Sequence, residues 1–565
     1  MILSIVVIGL ILLIGAGIVI GVRASSRVDQ AGPVTTAQPT ARRVVVFVLL
    51  FALVVIAAIG LSGLLGRLLD SGSTLASNDV SGLALSLAFT LIAGPFAAVL
   101  WWVQWRRIGG SERDSVAWGL YVAAMSTVSL VTFSIAFLAA AAVLVRGDGQ
   151  PRVLATGVVW AGVWAWHRWM SGNAHKSPTQ LVTLAPVLGW VFGLVLGLGG
   201  AITALGSLID AAVSTLTSSA FVGEPWWYST LQALIWCLGG VAIWWWHWIH
   251  DDARGLRGGL ADVALVVVGI AVACAVTLSG AVLTLFVLLR LAFDRSEPVT
   301  LLLEPLSVAV GAAGFGALVW QYHRGRSRLR SPSTQLAARL VTSGAGLITA
   351  ASGLGVIVNA LLASLVPVFV ASDARTLLLA GISALVVGGP VWWLAWNPAA
   401  AVDTAEAGNT GRRLYLILVF GVSAVVAIIT LIVIGYRLFE FVLGDTTGAS
   451  VIERVRAPLG LLVATGLVAG YHFAVWRRDR STAPPKPERP IGRIILVTSA
   501  ESGPVPQAIT HVTGAPVTVW RRSGPASAAE PTADELSAAL AGIQASRVLV
   551  ITGTNGQVEV ISLQD

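Results

Sequence analysis

Apolar runs of about 20 residues or more recur along most of this chain. Each is long enough to cross a hydrocarbon core of about 30 Å as a helix rising 1.5 Å per residue. The chain is 56% hydrophobic and 11% charged, where a soluble globular domain carries about 25% charge. An all-α polytopic membrane protein is the fold class these runs demand. Cys237 and Cys274 each lie inside such a run and read as apolar fillers, with no disulfide framework to form.

The first run, residues 1–22, lacks the positively charged start of a secretory signal and is followed at once by Arg23 and Arg27. It reads as a retained N-terminal transmembrane helix, a cleaved signal being the alternative, and the arginines behind it put the N-terminus outside. Residues 23–40, with Gly32-Pro33 and Pro39, form a polar linker.

From residue 41 the runs come in pairs whose second member closes on an aromatic-basic word. The six words centre on Trp101, Trp102 and Trp105; on Trp164, Trp166 and His167; on Trp245, Trp246, His247 and Trp248; on Trp320 and His323; on Trp392, Trp393 and Trp396; and on Trp476. Their spacing of 63 to 80 residues is the mark of one supersecondary unit used repeatedly. The expected repeats are 41–109, 110–175, 176–254, 255–330, 331–403 and 411–480, which with the first helix give about thirteen spans. Tryptophan and histidine at such positions read as a membrane-interface belt. At the other end of the pairs, Arg67, Arg146, Arg290 and Arg437 recur and read as arginines snorkelling from helix ends. Twenty-one cationic residues lie in the linkers on the aromatic side and nine on the opposite side. That bias puts the aromatic ends and the C-terminal tail in the cytoplasm.

Tandem two-helix units ending in such words resemble the bacterial membrane family catalogued only as a domain of unknown function, DUF5671. The resemblance covers roughly residues 41–480 and is weakest in the fifth copy, where Ala395 and Asn397 replace the polar and basic positions. It implies an architecture in the bacterial cytoplasmic membrane and no chemistry.

Residues 481–490 are a proline-rich linker, and 491–565 have the composition of a small cytoplasmic α/β domain. Runs 493–498, 516–520 and 547–552 read as buried strands, and Thr532 to Glu535 as a capping box opening a helix. Thr554-Asn555-Gly556 turns the chain into a last strand, giving a βαβαββ order. The loop 499–504 follows the first strand, where open α/β sheets hold ligands, yet carries neither glycine fingerprint nor P-loop. A docking or regulatory module meeting a soluble cytoplasmic protein is the expected role.

His247 and His250 with Asp251 and Asp252 have spacing that suggests a metal site, but the matching positions in other copies carry Gln104, Arg168, Arg324 and Ala395. No metal, cofactor or catalytic residue is therefore expected, and no nucleic-acid partner. Helix breaks at Gly94-Pro95, Glu304-Pro305 and Gly388-Gly389-Pro390 suit a transporter built from repeats. Against transport, Asp262, Arg290, Glu304 and Glu440 all fall near predicted helix ends, leaving no midplane ion relay. Ser126, Thr127, Ser129 and Thr132 form the most polar mid-membrane patch and read as packing glue. A non-enzymatic scaffold or sensor is the first reading. A transporter or channel for a neutral or lipid-like solute is the second.

Overall fold

The computed structural model describes residues 37–70, 80–109, 112–216, 225–294, 297–365, 374–400, 410–444, 450–482, 491–498, 505–521, 531–552 and 557–563. The expected N-terminal helix, the linker after it, the ligand-type loop 499–504 and the Asn555-Gly556 turn lie outside these residues. Contacts divide the chain into a helical body that ends at Trp476 and a second compact unit from Arg477 onward.

The body holds twelve helices among the described residues: α1 (Ala37–Leu69), α2 (Val80–Arg107), α3 (Val116–Leu144), α4 (Pro151–Gly172), α5 (Leu184–Leu216) and α6 (Trp226–Trp245, continued by the π-helical turn Trp246–His250); then α7 (Gly259–Phe293), α8 (Val299–Ser327), α9 (Pro332–Ala363), α10 (Ala374–Ala400), α11 (Thr410–Leu443) and α12 (Val451–Thr482). Ten of them are long and apolar enough to cross a membrane. The other two, α4 and α6, are rich in tryptophan, and α4 also carries Arg152, His167 and Arg168.

Helix packing follows one scheme three times. The first helix of each four lies against the second, in α1–α2, α5–α6 and α9–α10, and against the fourth, in α1–α4, α5–α8 and α9–α12. The third lies against the fourth, in α3–α4 and α7–α8, and in α11–α12, where the rings of Phe420 and Phe473 meet at 5.3 Å. Small residues make the close approaches, as expected where lipid offers no hydrophobic drive between helices. Gly197 of α5 faces Gly240 of α6 so closely that a Cβ on Gly240 would strike the Gly197 backbone.

The four-helix groups join in a fixed way, the third helix of one meeting the second helix of the next. At the first junction the side-chain amide of Gln232 in α6 donates to Ala142 O of α3 at 3.0 Å. At the second, the Thr376 hydroxyl of α10 donates to buried Asp294, at the end of α7, at 2.9 Å.

The expected helix breaks resolve in three different ways. Gly94-Pro95 begins a new α-helical stretch after a π-helical turn, Phe89–Ala93. At Glu304-Pro305 a turn separates Val299–Leu303 from Leu306–Ser327. The expectation of a break at Gly388-Gly389-Pro390 is corrected: α10 runs through it unbroken. Gly388 there packs its backbone onto α9, and the N–H that Pro390 lacks is tolerated as prolines in packed membrane helices are.

The second unit is a four-stranded sheet of β1 (Ile491–Thr498), β2 (Val517–Arg521), β3 (Ala545–Thr552) and β4 (Val558–Leu563) in the order β2-β1-β3-β4. β1 pairs parallel with β2 and β3, and β3 pairs antiparallel with β4. Helices α13 (Val505–Thr513) and α14 (Ala533–Leu540) bury Ile509 and Leu536 against Ile494, Leu496, Val548 and Val550. Thr532 caps α14 as its sequence implies. Its hydroxyl accepts from Glu535 N at 3.3 Å while the Glu535 carboxylate accepts from Thr532 N at 2.8 Å.

Candidate functional site

The aromatic words alternate in kind along the chain. On α2, α6 and α10 they are tryptophans one turn apart, Trp101/Trp105, Trp244/Trp248 and Trp392/Trp396; on α4, α8 and α12 they are an aromatic followed by histidine, Trp166-His167, Tyr322-His323 and Tyr471-His472. The three histidines share one device. Nδ1 of His167, His323 and His472 donates to the carbonyl of the valine four residues back, at 2.7, 2.8 and 2.8 Å. A carbonyl can only accept, so this bond fixes the tautomer and leaves Nε2 as an acceptor facing the bundle.

Five of the sixteen expected belt residues are buried among the helices. Trp102, Trp166, Trp245, Trp246 and Trp393 are exposed on the helix surfaces, whereas Trp248 and Trp396 are 1% exposed and His167, His247 and His323 are buried with them. Trp101, Trp105, Trp164, Trp320, Trp392 and Trp476 are half-buried. The inward set builds packing between helix pairs, which a belt of headgroup-level rings does not. Of the expected snorkelling arginines, Arg146 is exposed and Arg67 half-buried. Arg437 pairs with Glu440 at 3.3 Å. Arg290 departs from that expectation: its side chain is largely covered and pairs with buried Asp294 and with Glu297, both at 3.3 Å.

The hydroxyls of the mid-membrane patch bond to their own helix. Thr127 donates to Ala123 O and Thr132 to Val128 O, both at 2.8 Å, and Ser129 donates to Met125 O. Ser126 and Thr127 nonetheless line a cavity of about 170 Å³ at the first junction, with Arg168 and Ser171 of α4 and with His247 and Asp251 at the end of α6. It reaches from the aromatic ends of the helices to Leu130, halfway along α3.

Three ionisable side chains are tied together in its wall. Arg168 pairs with one carboxylate oxygen of Asp251, and His247 Nδ1 donates to the other at 2.8 Å. Burial pushes the Asp251 carboxyl up, but the His247 hydrogen bond and the Arg168 charge outweigh it and hold the group below the usual carboxylate range. His247 has no room to turn, because its ring lies where a Cβ on Gly189 of α5 would be.

The backbone around this cavity is unusual too. Among the described residues only Leu181 (φ 56°) and Asp252 (φ 51°) are non-glycine residues with positive φ. Leu181 lines the cavity and Asp252 follows its carboxylate. Such conformations cost about 1–3 kcal/mol each and persist only where surrounding structure imposes them. The segment carrying Leu181 is pinned from several sides: Lys176 Nζ donates to Trp105 O at 2.6 Å and Ile108 O at 2.7 Å, Arg113 Nε donates to Ser177 O at 2.8 Å, and the Thr179 hydroxyl donates to Asp114 at 2.8 Å.

The second junction supplies an internal control. There Arg324 stands where Arg168 stands, but the positions matching His247 and Asp251 are Ala395 and Ala399. Packing two groups together therefore does not require the charged triad. Sequence reasoning passed over it for that very reason, since averaging across copies hides a feature present in one. The legible signal was the i, i+4 spacing of His247 and Asp251.

Taken together, ten apolar spans, small-residue helix contacts and a threefold packing scheme define a polytopic helical membrane protein. The model of a family described as a domain of unknown function (DUF5671) matches the chain twice, at residues 43–165 and 337–467. Each match spans four helices, α1–α4 and α9–α12. No curated protein and no solved structure matches the chain.

Proposed function

We propose that this chain handles a small polar solute of no net charge, taken into the cavity at the first junction. The observation that carries the reading is the Arg168–Asp251–His247 triad, lining a cavity that runs to mid-helix and lacking counterparts at Ala395 and Ala399. The wall offers donors and acceptors with balanced charge, which suits an uncharged, hydrogen-bonding molecule better than an ion. The role is non-enzymatic, with no metal or cofactor in it. All twelve described helices cross the cytoplasmic membrane as six tandem pairs. The arginine bias orients the aromatic ends and the tail toward the cytoplasm.

The test is solute flux. Proteoliposomes holding the full chain, mixed in a stopped-flow instrument with glycerol, urea or erythritol, should shrink and reswell faster than empty vesicles. Asp251→Asn and Arg168→Gln should abolish the difference. Flux equal to that of empty vesicles for every solute, from protein that retains its fold, would overturn the reading.

A scaffold or sensor is the second reading, favoured by the separate sheet unit, whose edge strand β2 exposes Val519 and Trp520. An exposed edge strand is a ready surface for a soluble partner. Removing residues 491–565 would then abolish partner capture and leave flux untouched.

A further inference from the structure

His323 and Trp244 line the same apolar cavity of about 280 Å³ between α5, α6 and α8, and each carries a buried polar atom with no partner. On His323 that atom is Nε2, an acceptor, since Nδ1 is committed to Val319 O. On Trp244 it is the indole N–H, which can only donate. The two rings meet edge to face with centroids 6.5 Å apart. Around them the lining is apolar, from Leu194 and Leu198 to Phe315, except for Tyr322, whose hydroxyl already accepts from Trp248 at 2.8 Å, and Leu318, 66% exposed, sits at the open side of the cavity. A buried polar atom left unpaired destabilises a fold, so two in one cavity call for a partner.

A donor and an acceptor lining one cavity complement one simple group. A hydroxyl accepts from Trp244 and donates to His323. A carbonyl would serve the tryptophan alone, and a carboxylate would set its lone pairs against that of His323.

The first four-helix group shows the same histidine already served by a hydroxyl. There the phenol of Tyr121 reaches His167 Nε2 at 3.2 Å, and the ring of Trp101, the counterpart of Trp244, lies against both residues. In the second group Trp190 stacks on His323 instead, with centroids 5.7 Å apart, and brings no hydroxyl to it. The third group repeats the second: the Trp392 N–H and His472 Nε2 are buried without partners, while Tyr415 meets the Ser343 hydroxyl at 3.2 Å.

The geometry points to Trp244 and His323 as a binding site for the hydroxyl of an uncharged, membrane-dissolved alcohol whose hydrocarbon chain lies along the cavity out to Leu318. The site is separate from the cavity at the first junction and stands whether or not that cavity passes solute. Trp392 and His472 are the equivalent pair in the third group.

Photolabelling tests the assignment. The full chain in phosphatidylcholine nanodiscs is irradiated with a long-chain alcohol carrying a diazirine, and in parallel with its methyl ether and the matching alkane. The expected result is labelling of α5 and α8 peptides by the alcohol, competed by unlabelled alcohol, with about tenfold less from ether and alkane. Trp244→Phe and His323→Phe, which keep a ring and remove the polar atom, should each bring the alcohol down to the alkane level. Equal labelling by all three probes would overturn the proposal, leaving a lipid-filled groove whose two polar atoms hold water. Because that comparison uses the unaltered chain, it decides the matter even if a variant fails to fold.

Discussion

The indole N–H of Trp248 donates to the phenolic oxygen of Tyr322 at 2.8 Å, and 148 residues further on Trp396 does the same to Tyr471 at 2.7 Å. Each bond ties the second helix of a four-helix group to the fourth. Trp248→Phe and Tyr322→Phe should each lower stability by about 1 kcal/mol. The double variant should cost clearly less than the two singles summed. Chemical unfolding in detergent micelles measures the cycle, and additive losses would mean that the bond contributes nothing.

Arg168 and Asp251 should be unequal to their removal one at a time. Arg168→Met strands a buried carboxylate and is expected to cost about 2 kcal/mol or more, while adding Asp251→Leu should recover much of the loss. The readout is the same unfolding midpoint. A double variant worse than Arg168→Met alone would contradict the ion-pair account.

The lowered pKa of Asp251 carries a sign. A carboxyl held below its ordinary value of 3.8 stabilises the folded chain at every pH above that value, and the contribution disappears as pH falls through the folded-state pKa. The stability gap between the native chain and Asp251→Asn should therefore be constant from about pH 7 to pH 5 and close below about pH 4. A gap that widened on acidification would reverse the assignment.

Leu181 sits in a conformation that suits glycine. Leu181→Gly should raise stability by about 1 kcal/mol through release of backbone strain, offset in part by the lost side chain and by a more flexible unfolded state. If the strain serves the cavity, solute flux falls in the same variant. A destabilised variant with normal flux would show that the leucine side chain matters more than its backbone.

Glu535 in the sheet unit has its carboxyl held below the usual range by the backbone N–H and side chain of Thr532. The capping box should therefore hold at neutral pH and open as acid protonates Glu535. Hydrogen-exchange protection of the α14 amides in the full chain measures this. Protection unchanged on acidification, or unchanged in Thr532→Ala, would count against it.

Much of the architecture was legible because it depends on local pattern. An apolar run such as 47–63 announces a span without reference to any neighbour, and Thr532 to Glu535 announces a helix start within four residues. The tryptophan words were harder, since their direction turns by about 100° per residue. Trp245 is exposed and Trp248 buried only three positions apart, across the start of a π-helical turn that composition does not betray. The triad was harder still. Arg168 and Asp251 are 83 residues apart, and their meeting depends on α3 packing against α5 and α6, a long-range relation that no local pattern records.

The pairing of Arg168 with Asp251 has a consequence for what a single four-helix group can be. One group owns the arginine and the next owns the carboxylate, so this ion pair forms only where the two groups adjoin. Tandem duplication here does more than multiply a scaffold: the seam between copies becomes new chemical territory. The seam before α10, with alanine at both positions, shows that such territory can also be left unsettled.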